Sequence, residues 1–139
     1  MKLSKNFSLE EMSRSNTASV RGLPNVPNAE QVKNLKALCE NVLQPLRNHL
    51  GKPVVINSGF RSQAVNMAVG GAKNSQHTKG EAADIKCKDF LYAKKIYTWI
   101  MNNLEFDQVI LERKGKAVWV HVSFRTNGKN RQQAITIKV

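Results

Sequence analysis

The stretch Ser75-Gln76-His77-Thr78-Lys79-Gly80-Glu81-Ala82-Ala83-Asp84, answered far downstream by Trp119-Val120-His121-Val122-Ser123, decides how this chain reads. Together they place two imidazoles and a carboxylate in loop and strand contexts. That is the ligand set of an open zinc site, in which three protein ligands leave a fourth position for water. The chain holds three histidines in all, so a centre of His77, Asp84 and His121 uses nearly its whole imidazole supply. Gly80 allows a tight turn between His77 and a small-residue strand, Ala82-Ala83-Asp84-Ile85. Alternation over Val118 to Phe124 puts Trp119, His121 and Ser123 on one face and Val118, Val120, Val122 and Phe124 on the other, so one face is core and the other a site. Spacing alone leaves a plainer reading open: His121 as a polar residue on a solvated sheet face, and Asp84 as a strand-end acceptor.

Working outward, the pattern is that of a small α+β domain. Ser8 and Glu11 form a capping box with Phe7 and Met12 at staple spacing, so a short helix begins there. Leu23-Pro24-Asn25-Val26-Pro27 breaks the chain. Asn28 then caps a longer helix carrying Val32, Leu35, Leu38, Val42, Leu46 and Leu50 at helical spacing, which Pro45 should bend. A strand over 53–57, a short helix over 62–68 ended by Gly70-Gly71, and a strand over 82–86 follow. Asp89 caps a helix to Asn102 whose stripe of Phe90, Ala93, Ile96, Trp99 and Ile100 reads as core. His49 reads as a surface residue. Strands over 107–112, 117–124 and 134–138 complete a mostly antiparallel sheet with helices packed on one side. With 139 residues and no repeat or linker, one domain over 1–139 is expected. Cys39 and Cys87 lack Cys-x-x-Cys spacing and read as buried or incidental thiols.

The ordered motifs carry a resemblance. Ser-x-His-x-x-Gly-x-Ala-x-Asp at 75–84 with Trp-x-His-x-Ser at 119–123 resembles the zinc D-Ala-D-Ala carboxypeptidases, together with phage endolysin L-Ala-D-Glu endopeptidases and D-Ala-D-Ala dipeptidases. Pro45-Leu46-Arg47, Ser58-Gly59-Phe60-Arg61-Ser62, Asn66, Val69-Gly70-Gly71, Phe106 to Ile110 and Asn130-Arg131 extend it over most of the chain. The resemblance implies a Hedgehog/D-Ala-D-Ala-peptidase-like fold and one Zn2+ per chain on His77, Asp84 and His121. It also gives Arg61 the task of holding substrate and steadying the oxyanion, where forked donors that never lose their proton suit developing charge. A surface arginine is the plainer alternative. Ser75 becomes a substrate hydrogen-bonder by resemblance, with a loop-stabilising serine equally open. Trp119, beside His121, is a candidate substrate contact.

The pattern breaks at the general base. Relatives carry Glu or Asp three residues before the second histidine, and here that position is Val118. If Arg113-Lys114-Gly115-Lys116 is the turn, Glu112 lies opposite Ala117 and Gln108 opposite His121, with residues 108, 110 and 112 on the face of His121. Glu112 is then the first candidate, offset from His121 by four residues, or about 13 Å at ~3.3 Å per residue. A solvated carboxylate paired with Arg113 or Lys114 is the competing reading, and Glu81 and Asp107 are further candidates.

A net charge of +12 asks for a polyanion. The basic residues are dispersed, aromatics are few and no nucleic-acid signature appears, so anionic cell-wall polymers fit better than nucleic acid. The densest stretch, Arg125 to Arg131, also reads as a solvated hairpin with Asn127-Gly128 at its turn. No signal peptide or membrane span is visible, so the expectation is a monomer, cytoplasmic as synthesised. It would reach the wall after release, as a phage or prophage product does. Two functions follow: a zinc peptidase cutting a D-amino-acid bond in peptidoglycan stem peptides, or a zinc-containing wall-recognition module without turnover.

Overall fold

A computed structural model describes residues 1–138. A small hairpin of β1 (Lys2–Ser4) and β2 (Phe7–Ser8) leads into α1 (Leu9–Met12) and α2 (Asn16–Arg21). Ser8 caps α1 by accepting from the Glu11 amide, with Phe7 and Met12 buried on either side as the staple spacing demands. Asn28 and Gln31 form a reciprocal capping box at the start of α3 (Ala29–Leu38). The chain then passes through a π-helical turn at Cys39–Leu43 into α4 (Gln44–Leu50). Pro45 explains the turn: it brings no amide and its ring crowds the carbonyl four residues back, so the helix widens before it instead of breaking.

The main sheet runs β3 (Ile56–Ser58), β4 (Ala82–Lys86), β6 (Ala117–Ser123), β5 (Gln108–Lys114), β7 (Gln133–Lys138) in spatial order. Between β3 and β4 lie α5 (Gln63–Ala68) and a 3-10 turn (Gln76–Lys79), and α6 (Phe90–Asn103) joins β4 to β5. Leu35, Leu38, Val42, Leu43 and Leu46 meet Ala83, Ile85, Val109, Leu111, Val120 and Val122 in one core with Ile96 and Ile100. Each such side chain removed from water contributes about 1.5–3 kcal/mol, so the helical side of the sheet is sealed. Polar residues that alternate with that core face the opposite side. Cys39 and Cys87 are both buried free thiols, as expected.

Two expectations change. The first strand of the sheet is Ile56–Ser58 and not 53–57; Val55 keeps only its carbonyl in the ladder, accepting from the Lys86 amide. The sheet is mostly antiparallel as expected, with one parallel pair, β7 beside β5. The segment 125–131 is therefore no hairpin but a crossover past the start of β5. The physical reason is Asp107, whose fully buried carboxylate accepts from the Arg131 amide, Nε and Nη2 at 3.0, 3.0 and 2.7 Å and pairs with Arg125 Nε at 3.2 Å. Both ends of the crossover are thereby tied to one anion, and main-chain bonds from Gln132 and Gln133 to Phe106 and Asp107 finish the seam. No helix among the described residues is long and apolar enough to cross a membrane.

Candidate metal centre

Asp84 and His121 are direct cross-strand partners in the β4/β6 register, which fixes their separation before any side chain is placed. Asp84 Oδ1 stands 3.0 Å from His121 Nδ1 and 3.4 Å from His77 Nε2. One ligand atom from each of the three residues lies within 4.8 Å of the others. His77 comes from the 3-10 turn, whose N-cap Ser75 accepts from the His77 amide at 3.2 Å. Gly80 ends that turn at φ 75, and a Cβ there would collide with the Gln31 carbonyl, so glycine is required twice over. From the other side, Gln31 Nε2 and Asn34 Nδ2 donate to the carbonyls of Thr78 and Lys79. The turn is thus braced by α3.

The chemistry of His77 tests whether a metal fits. Its Nδ1 is 2.7 Å from the Gly59 carbonyl, which can only accept, so Nδ1 carries the proton. Nε2 of the neutral ring is then a lone pair, buried and without a hydrogen-bond partner, aimed at a carboxylate oxygen. Two lone pairs facing one another inside a protein repel unless a cation stands between them. The residues fit a divalent metal. Burial alone would raise the Asp84 carboxyl, but the hydrogen bond from His121 outweighs it and holds Asp84 well below the usual range, ionised as a ligand must be.

Arg61 faces the same carboxylate, with Nη2 3.8 Å from Asp84 Oδ2. Its Nε donates to Ser58 Oγ and its Nη1 to Asn66 Oδ1, both at 3.2 Å. A Cβ on Gly71 would overlap the Asn66 side chain and press on Arg61 Nη1, so that glycine makes room for the clamp. Ser58 and Asn66 belong to the quoted motifs, yet only the folded chain shows that they aim the guanidinium. Gly59 is similar: its carbonyl orients His77, and a Cβ there would strike the Met12 carbonyl.

The β5/β6 register corrects the expectation for Glu112. The turn is the two residues Gly115 and Lys116, with Lys114 opposite Ala117, Glu112 opposite Trp119 and Ile110 opposite His121. Gly115 at φ 60 supplies the left-handed backbone that a two-residue hairpin needs. Glu112 is therefore a diagonal neighbour of His121, about 7–8 Å away along the backbone grid, within reach of a long side chain. Trp119 Nε1 donates to Glu112 Oε2 at 3.1 Å and fixes it. Burial first, and then the charge of Asp84, push the Glu112 carboxyl above its usual range. No ion pair to Arg113 or Lys114 forms among the described residues.

Of the other candidates, Asp107 is spent on its two arginines. Although burial raises its carboxyl, the Arg131 hydrogen bonds and the Arg125 charge hold it at about 2, too weakly basic to take a proton near neutrality. Glu81 accepts from Gln76 Nε2 at 3.3 Å on the wall of the cleft. Two cavities adjoin the site, one through Arg61 and the other through His121. One, about 500 Å³, is lined by Arg14, Asn16, Ser58, Arg61 and Val65. The other, about 610 Å³, holds Ser75, Gln76, Lys79, Gln108 and His121. Ser75 thus serves the turn and also borders the cleft.

A family model described as peptidase M15 matches residues 5–123. The chain belongs to the peptidase M15 family. The donor set of His77, Asp84 and His121 suits zinc. A 44-residue segment is 52% identical to the zinc D-Ala-D-Ala carboxypeptidase of Streptomyces albus G, spanning 31% of this chain and 17% of that relative.

Proposed function

We propose that this peptidase hydrolyses peptidoglycan stem peptides at a bond involving a D-amino acid, with one zinc held by His77 Nε2, His121 Nδ1 and the Asp84 carboxylate. The observation that carries the reading is the unpartnered His77 Nε2 beside Asp84, with Arg61 and Glu112 flanking the same point. Zinc bound there supplies Lewis acidity and lowers the pKa of water. Glu112, its carboxyl raised above the usual range by burial and held by Trp119, takes the proton from the attacking water and returns it to the leaving amine. Arg61 donates to the carbonyl oxygen as that oxygen gains charge, from a guanidinium already fixed by Ser58 and Asn66. Ser75 and Trp119 border the substrate.

The name of the Streptomyces relative supports the substrate class. One cavity reaches Arg61 and the other His121, which favours a chain that extends past both residues, and so an internal L-Ala-D-Glu type of cut over removal of a terminal residue. The reading without turnover rests on Val118, whereas the diagonal placement of Glu112 beside His121 supports the reading with turnover. Incubating the zinc-loaded protein with purified muropeptides and identifying new termini by mass spectrometry tests the proposal. A zinc-dependent new terminus next to a D-residue is expected. A protein that binds zinc yet releases no product from any muropeptide belongs to the reading without turnover.

A further inference from the structure

A second groove lies away from the triad, where Pro53, Val54 and Val55 run beside Ile85 of β4 and Tyr92 and Ile96 of α6. It is about 320 Å³ in volume, with an apolar floor and three exposed lysines, Lys52, Lys86 and Lys88, on its rim. Lys52 Nζ sits 4.6 Å and Lys88 Nζ 5.5 Å from the centre of the Tyr92 ring. Two like charges are therefore gathered on one ring, which costs energy unless an anion is near. None of the salt bridges among the described residues involves a lysine. The nearby acid, Asp89, is engaged in capping α6 through the Tyr92 amide at 2.8 Å.

We propose that this groove binds the backbone of a polyol-phosphate polymer, with phosphates between the lysines and the carbon chain on the apolar floor. Charge complementarity selects a polyanion, and lysines offer point charges that suit phosphates on a flexible chain better than forked recognition. Nucleic acid fits poorly. The one aromatic ring of the groove already lies under ammonium groups and offers no platform for bases, the rim has no arginine to read base edges, and the cavity is too narrow for a duplex. The position is useful as well: Lys86 lies two residues beyond Asp84 on the same strand, so a polymer held here keeps the metal face near its surroundings and raises the effective concentration of attached substrate. The binding claim stands without the peptide-bond reading, because it is measured with no turnover.

The test is calorimetric titration of the zinc-loaded full chain with poly(glycerol phosphate) at low salt. Three proteins are compared: the parent, Lys52→Gln/Lys88→Gln, and the charge-matched control Lys33→Gln/Lys36→Gln on α3, whose residues lie outside the groove. The groove variant should bind ~10-fold or more weakly, the worth of two lysines against an anionic surface, while the control stays close to the parent. Lys52→Arg/Lys88→Arg should restore binding, and thermal melts and zinc content should match throughout. Equal losses in both Gln pairs would mean diffuse attraction by net charge and would overturn the site. Tighter binding of duplex DNA that is lost in the same groove variant would assign the groove to nucleic acid instead.

Discussion

Two aspartates on the same sheet carry opposite burdens. Asp107 is wholly buried and saturated by Arg131 and Arg125, so its charge is neutralised by groups that never lose their protons. Asp84 is also largely enclosed, but its partners are two imidazoles and a guanidinium held 3.8 Å off, and one imidazole points an unshared lone pair at it. Permanent cations turn a buried carboxylate into a clasp for the β6–β7 crossover. An imidazole with an unshared lone pair leaves one suited to a metal. The contrast teaches that a buried acid is read by what its partners can still accept, not by its depth.

The largest effect should come from exchanging the same chemistry at the two positions. Asp84→Asn should drop zinc content from about one equivalent toward none and abolish hydrolysis while leaving the fold intact; Asp107→Asn should keep the zinc and lose stability instead, by roughly 2–3 kcal/mol in urea unfolding, discounted because both arginines are partly exposed. Zinc lost equally in both variants would erase the distinction. Next come the groups that flank Asp84 without holding metal. Glu112→Gln should lower turnover about 10²- to 10⁴-fold and Arg61→Ala roughly 10²-fold, each with zinc retained. Parent-like turnover in Glu112→Gln, with a deficit in Glu81→Gln, would move the base to the other wall of the cleft.

The smallest effect sharpens the clasp itself. Asp107 titrates at about 2 when folded against an ordinary value of 3.8, so its contribution is fully present above pH ~4 and disappears as pH falls toward 2. The stability gap between parent and Asp107→Asn, measured on metal-free protein, should accordingly narrow over that interval. A gap that stays constant from pH 5 to pH 2 would show that Asp107 acts through shape alone.

Local signals in the sequence were enough for much of this protein. The capping residues Ser8, Asn28 and Asp89 start helices where their side chains accept from amides three residues on, because that bond is made within one turn. Alternation along 118–124 separated core from site for the same reason: side-chain direction in a strand is a local property. The candidate ligand set could likewise be read from residue types and motif order. Tertiary structure decided what depends on closing the chain. A two-residue turn set the Glu112 register, since turn length is settled by the energy of the whole hairpin and not by the residues at its tip. The parallel placement of β7 came from Asp107 reaching Arg125 and Arg131, 18 and 24 positions away. The role of Gly59, whose carbonyl fixes the proton on His77 and frees its other nitrogen for a metal, exists only once two loops meet. Such contacts leave no periodicity in the chain, because their partners are chosen by the fold.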